Sequence, residues 1–421
     1  MRNILVLIGE YYPYNSANGR ITQELIETFN TNFKVFVLTR KTHSILGNYE
    51  KYKNTEILRI NDWNLILQNR YKEKSKFKYL NRIKLHIVKI FFLIKRMLSR
   101  SSIDKAFSKK IYKKGLSISK AHHFDSIITV SAPHEEIYAG YLFKKNNPNL
   151  KLVIYQMDKF SNAISLYPLG IRTKRRYTLN LNIERKVYDL ADKYFLLKPL
   201  EKYTRDFIVT DFGQKLTITE HPLLTDKSSV ALTNNKIASV TYAGSLDKKM
   251  RNPEFYLKLV LGDKYLIENV LHTFYTFGNC GDILSRYKTL IGPNLKINER
   301  VPSHDLVSIM QKSDIILIFG NNSKDEIPSK LFEYMSYCKP IIYVYYFDED
   351  GYLKYLEEYP NKLCLKVDSN NSDNYHRLLK NFFANYKSNE ISYNQIELIY
   401  NKCTPKYVGD QIMNFLEITE E

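Results

Sequence analysis

Cysteine is sparse in this chain, and none of it is paired in sequence. Cys280, Cys338, Cys364 and Cys403 are scattered with no CxxC among them. That argues against a zinc site or a disulfide framework and for a reducing compartment. Long apolar runs are equally lacking. No stretch approaches the roughly 20 residues that a membrane-crossing helix needs. The apolar run Ile4–Ile8 stops at Gly9-Glu10, too short for a signal peptide. HExxH, a Walker loop, GxSxG and clustered Cys/His are absent, which counts against metalloprotease, NTPase and esterase chemistry. The first loop lacks GxGxxG, so a dinucleotide fingerprint is missing as well.

Positive charge is abundant. Sixty-three Lys and Arg against 44 Asp and Glu leave a formal +19 over 421 residues. Such an excess calls for an anionic partner: nucleic acid, phospholipid or a phosphate-bearing substrate. Heavy use of Lys, Asn, Ile and Tyr is also what an AT-rich coding sequence produces. With 44% hydrophobic and 25% charged residues the chain is globular, and its length exceeds one ordinary core, so two domains are expected.

Strand-like and helix-like segments alternate. Asn3–Ile8 reads as a buried strand, 9–19 as a polar glycine-bearing loop, Arg20–Phe29 as a helix and Lys34–Thr39 as the next strand. This is the opening of a doubly wound sheet, whose ligands bind beyond the carboxyl ends of the strands. Asn18-Gly19 in that loop reads either as a turn or as part of a binding face. Strands Asp125–Val130 and Leu152–Gln156 end near His134 and Asp158, which become candidates for holding an acceptor or touching a sugar. A lone histidine at a helix start is equally a cap or a solvated side chain. A linker falls over 221–236. A second alternation follows, with strands at Ala238–Tyr242, Thr273–Phe277, Leu295–Asn298 and Asp314–Phe319, and a last helix over Lys406–Leu416.

Residues 62–120 interrupt the first alternation. Positions 70–114 carry sixteen Lys or Arg against Glu73 and Asp104 alone. Ile83, Ile87, Ile90, Ile94 and Leu98 recur at helical spacing, with Arg82, Lys89, Arg96 and Arg100 on another face. Such a helix either lies on an anionic membrane surface or turns its apolar face into the core. A nucleic-acid role is the weaker reading, because no stacking aromatics accompany the charge.

The densest cluster of polar chemistry is 325–346, DEIPSKLFEYMSYCKPIIYVYY. Pro328 suits a first helical position, and Leu331, Phe332, Met335 and Cys338 form an apolar stripe. Cys338-Lys339-Pro340 ends the helix before the strand Ile341–Tyr346. Ser329 and Lys330 fall in the first turn, where they reach the same anion that a helix start attracts. Asp325 and Glu333 flank that position with carboxylates able to accept from hydroxyls. Asp348-Glu349-Asp350 follows the strand and reads as a loop, not a metal-binding acid cluster.

These residues resemble the C-terminal signature of retaining GT-B glycosyltransferases, especially glycosyltransferase family 4, in its bacterial polysaccharide-assembly form. The resemblance implies an α/β fold of two Rossmann-like doubly wound domains with a cleft between them. Their boundaries are expected at 1–220, with the basic insertion at 62–120, and at 237–400, with 401–421 packing back on the first. It implies a nucleotide-diphosphate sugar donor, a lipid-linked or glycan acceptor, no cofactor and no metal; the basic 70–114 segment adds an anionic membrane surface as the expected partner, with no nucleic acid. Asp325 would contact the donor sugar and act with His134 in catalysis. Glu333 would hold the ribose, and Gly244, Ser245, Lys249, Arg251, Gly278, Ser329 and Lys330 the rest of the donor. Asn18, Gly19 and Asp158 would face the acceptor. Three departures stand out: Asp replaces the usual Glu at 325, Ile327-Pro328-Ser329 replaces the usual Gly-rich turn, and Ser245 occupies a position usually held by Arg. A GT-B sugar-nucleotide epimerase is the alternative enzyme.

Overall fold

The run Ile4–Ile8 has no polar face to offer water, and all five of its side chains are buried at the centre of an eight-stranded sheet. The computed structural model describes residues 2–13, 16–73, 78–209, 213–228, 237–322, 330–368 and 372–418. The chain divides into two units, Met1–Pro222 with Pro405–Glu421, and Leu223–Thr404.

The first unit contains β1 (Arg2–Leu7), β2 (Phe33–Lys41), β3 (Tyr49–Tyr52), β4 (Thr55–Asn61), β5 (Ser126–Val130), β6 (Lys151–Gln156), β7 (Lys193–Leu197) and β8 (Leu216–Thr219). Their order is β3-β4-β2-β1-β5-β6-β7-β8, parallel except for β3. Val6 stands beside Val37 on one side and Ile128 on the other. Strands buried on both faces tolerate such continuous β-branched runs. Helices α1 (Ala17–Glu27), α2 (Trp63–Glu73), α3 (Lys78–Leu98), α4 (Lys105–Ser119), α5 (His134–Asn146) and α6 (Lys174–Leu190) join them. Ile111 and Ile118 of α4, Phe143 of α5 and Val187 of α6 share one core with Leu5, Phe36, Ile127 and Ile154.

Two details differ from the sequence expectation, and a third decides between two readings it left open. Ser16 caps α1 by accepting from the Gly19 amide, so Asn18 and Gly19 sit in its first turn and not in the loop. Two further strands, β3 and β4, precede the basic insertion, and the insertion itself is three helices, α2 to α4. The isoleucine stripe of α3 is not core: Ile83, Ile87, Ile90, Ile94 and Leu98 are between 41% and 82% exposed.

The chain's last helix, Pro405–Glu417, belongs to the first unit. Val408, Ile412, Met413 and Leu416 are buried, and Arg2 donates to the Leu416 carbonyl. At Gly409 a Cβ would stand 2.1 Å from the Thr28 hydroxyl, so the helix meets the end of α1 at backbone distance.

The second unit holds a fully parallel six-stranded sheet: β9 (Ala238–Leu246), β10 (Val270–Gly278), β11 (Leu295–Asn298), β12 (Ile315–Phe319), β13 (Ile341–Tyr345) and β14 (Lys362–Lys366). The order is β11-β10-β9-β12-β13-β14. Tyr242, Phe274 and Phe319 pack ring against ring in its core. β9 runs four residues beyond the expected end, pairing Gly244, Ser245 and Leu246 with Thr276, Phe277 and Gly278. Gly244 and Ser245 are therefore strand, held by a ladder, where a loop was expected.

Candidate functional site

Each sheet reverses its order once, between β1 and β5 and between β9 and β12. In open α/β sheets ligands bind outside the carboxyl ends of the strands at such points.

In the second unit that position is held by Gly244 and Ser245 on β9 and by Gly320 and Asn321 after β12. Residues 247–251 form a closed turn. Asp247 and Arg251 exchange backbone hydrogen bonds of 3.1 and 2.9 Å, and the Asp247 carboxylate accepts from the amides of Lys249 and Met250 at 2.9 and 3.0 Å. Those bonds hold the carboxyl of Asp247 below the usual carboxylate range. The turn aims Arg251 back across the strand ends, where it donates to Ser245 Oγ at 3.1 Å and to the Asn321 carboxamide.

Lys330 approaches from the Lys330–Met335 helix. Its Nζ lies 3.5 Å from the Ala243 carbonyl, and a Cβ on Gly244 would stand 3.4 Å from that nitrogen. Tyr334 on the same helix donates to the same carbonyl, fixing the helix to β9. One ammonium, one guanidinium and one hydroxyl thus converge on the end of β9. Glu333 is nearly buried, with Lys227 Nζ 3.9 Å from its carboxylate.

Gly278 closes the edge of the site. Its φ of +128° is one that only glycine adopts readily, and a Cβ there would come within 1.9 Å of the Leu246 carbonyl. Lys249 is exposed on the turn, where its carbonyl accepts from Asn322 at 3.2 Å. Asp325 and Ser329 lie outside the described residues. Asp350 caps the Gly351–Leu356 helix and accepts from Tyr343 at 2.7 Å, while Asp348 pairs with Lys366. Among the described residues no cluster of three His, Cys, Asp or Glu could hold a metal ion.

In the first unit Asn18 ties three elements together. Its amide donates to the Ser131 carbonyl at 2.8 Å and to Asp158 at 2.7 Å, joining α1 to the ends of β5 and β6. Ser131 Oγ accepts from the amides of Met157 and Asp158. Gly19 lies against the Glu10 carbonyl, 2.2 Å from where its Cβ would be. His134 starts α5 but faces inward, stacked on Phe160 at 4.3 Å with Gln156 at 3.4 Å. Burial holds its imidazole neutral, with a pKa pushed down to about 3, so at neutral pH it carries no charge.

Three groups here have no local sequence signal. Asn321 and Tyr334 reach the site from elements seventy or more residues beyond Ser245. Arg40, at the end of β2, is clasped by Asp62 at 3.1 Å, Glu135 at 2.9 Å and Glu136 at 2.7 Å. Its guanidinium also lies 4.7 Å over the Phe107 ring.

No protein-family model matches the chain, and no curated protein matches it in sequence. Solved structures do. Sucrose-phosphate synthase from Thermosynechococcus elongatus is 12% identical with a TM-score of 0.61, over 99% of this chain and 98% of that one. Trehalose-6-phosphate from E. coli bound with UDP-2-fluoro glucose, as that structure is described, gives 12% and 0.60 over the whole of both chains. Anabaena HepE in complex with UDP gives 9% and 0.58 over 99% of each. At such identities the likeness is one of fold, and the fold is that of the GT-B glycosyltransferases.

Proposed function

We propose that this chain is a retaining glycosyltransferase of the family 4 type. It would move a sugar from a nucleotide-diphosphate donor to a lipid-linked or polysaccharide acceptor, in bacterial surface-glycan synthesis at the cytoplasmic face of the membrane. The observation that carries the reading is the convergence of Arg251, Ser245 and Lys330 at the switch point of the second sheet. A departing diphosphate must be stabilised as its charge develops, and fixed cations aimed at that position do so without reorganising. Arg251 and Lys330 take that role, Glu333 accepts from ribose hydroxyls, and Asp325 contacts the donor sugar. We expect the reaction to need no metal; activity abolished by EDTA and restored by manganese would overturn that part. Asn18 and Asp158, hydrogen-bonded to each other, take the acceptor side.

Calorimetry with UDP tests the donor site. Lys330→Ala and Glu333→Ala each remove a charge-assisted hydrogen bond worth about 1.5–3 kcal/mol, so UDP affinity should fall roughly ten- to hundred-fold. Wild-type titrations from both folded variants would place the nucleotide elsewhere.

The membrane part of the reading rests on α3, whose apolar stripe is exposed beside the exposed basic residues Arg82, Lys84 and Lys89. No helix of the described residues is long and apolar enough to cross a membrane. Near an anionic surface each Lys or Arg contributes about 1 kcal/mol within a Debye length of about 8 Å. Lys84→Glu with Lys89→Glu should therefore lower co-sedimentation with anionic vesicles at least tenfold, and high salt should do the same to the wild type. Equal sedimentation on neutral and anionic vesicles counts against it.

A further inference from the structure

A cavity of about 1000 Å³ lies wholly within the first unit, over the carboxyl ends of β2 and β4 and walled by α2, α3, α4 and α6. Beside uncharged polar groups, Asn61, Asn64 and Asn182 among them, its lining has two further characters. Trp63, Phe92, Ile103, Phe107, Leu179 and Ile183 are apolar. Against them stand Arg96, Arg100, Lys105, Lys110 and Lys186.

The acids in the lining are already engaged. Asp62 and Glu135 hold Arg40, and Asp104 pairs with Lys95 at 2.6 Å. Arg100 and Lys186 make no ion pair among the described residues. The wall therefore carries surplus positive charge beside aromatic surface. A plain sugar suits it poorly: it could bond the amides of Asn61, Asn64 and Asn182 but would leave Arg100 and Lys186 without an anion. A nucleic acid suits it poorly too, since the space is a pocket and not a track. An apolar chain with an anionic head satisfies both halves of the lining.

The mouth agrees with this. Phe92 turns into the cavity while Phe91, in edge-to-face contact at 5.3 Å, is 63% exposed on the α3 surface. A chain too long for the cavity leaves it along side chains that are already apolar and already outside.

We propose that this cavity binds a phosphate-bearing apolar chain, and that it is where the phosphate end of a lipid-linked acceptor docks. The second clause rests on the transferase reading; the site itself does not. The phosphate takes the Arg100 and Lys186 side, and the first carbons of the chain lie against Phe92 and Trp63.

Trp63 is the chain's single tryptophan, so its emission reports on this wall alone. The test titrates the full chain with decyl phosphate below its micelle concentration, with decanol and with inorganic phosphate, and measures UDP binding separately by calorimetry. A saturable change in Trp63 emission is expected for decyl phosphate. Decanol should bind at least tenfold more weakly, and inorganic phosphate should give no change at millimolar levels. Arg100→Glu with Lys186→Glu, both exposed positions, should weaken decyl phosphate at least tenfold and leave UDP binding and thermal unfolding as they were. No saturable response, a response shared equally by decanol or by inorganic phosphate, or indifference to the charge reversal overturns the proposal. UDP binding without a Trp63 response removes this site and leaves the donor site standing. The converse keeps this site and removes the donor reading.

Discussion

Arg40→Leu is expected to cost the first unit about 3–5 kcal/mol, the usual result of removing one partner from a buried ion cluster. The reason is what remains. The side chain of Glu136 is 1% exposed and Asp62 and Glu135 are little more so, and without the guanidinium they face one another unpaired. Burial already holds the Glu136 carboxyl above the usual range, with Arg40 pulling the other way. Once that pull is gone its pKa rises further, and the native variant binds a proton that the unfolded chain releases. A raised carboxyl pKa stabilises at low pH and loses that contribution as pH climbs. The gap between variant and wild type should therefore be widest near neutrality and narrow toward pH 5. Urea midpoints at pH 7.5 and 5.5 measure it, and adding Glu136→Gln to the variant should recover part of the loss. A variant that unfolds with the wild type at both pH values would show that the cluster contributes nothing.

Mild acid is expected to have a comparable effect on the native chain. His134, His221 and His272 are buried and neutral, with pKa values pushed down to about 3, 4 and 4 by loss of hydration. The unfolded chain protonates them near the ordinary value of about 6.5. Below that pH the unfolded state binds protons the native state refuses, so stability is full above 6.5 and is lost as pH falls toward 4. By pH 5 the loss is roughly 2 kcal/mol for each histidine. Glu10, Glu136 and Glu184, whose carboxyls burial raises, act in the opposite sense, so the clean readout is a difference. His134→Phe keeps the stack on Phe160 and should make the first unit's urea midpoint less sensitive to pH between 7 and 5, by about that amount. Equal pH sensitivity in the variant and the wild type would exclude His134 as a source.

The fold was legible where burial is uniform. Ile4–Ile8 is a continuous apolar run because its strand is covered on both faces, and Ser126–Val130, rich in β-branched residues, is buried throughout beside it. It was less legible at the edges. The β4 segment TEILRIN and the β14 segment KLCLK mix charged with apolar residues and are short, so nothing local separates them from loops. The α3 period was plain, but which way its stripe faces depends on what the rest of the chain leaves uncovered. In the candidate site, Gly244, Ser245, Lys330 and Glu333 stand out by pattern, whereas the bonds that make Arg251 part of it run to Asn321. His134 shows the same limit. Its place at a helix start follows from sequence, and its burial follows from Phe160.

The C-terminal helix also bears on the order in which the chain matures. Domains commonly fold as they emerge during synthesis, the first before the next. Here the first unit is made first but lacks one of its own walls until Pro405–Glu417 appears. Roughly 180 intervening residues, at about 5–20 per second, take something like ten to forty seconds to synthesise. Throughout that interval the surface that Val408, Ile412 and Met413 later cover stays open to solvent or to a chaperone. The half that starts first is completed last. A ribosome that stops near Thr404 releases a chain whose second unit is whole and whose first is not.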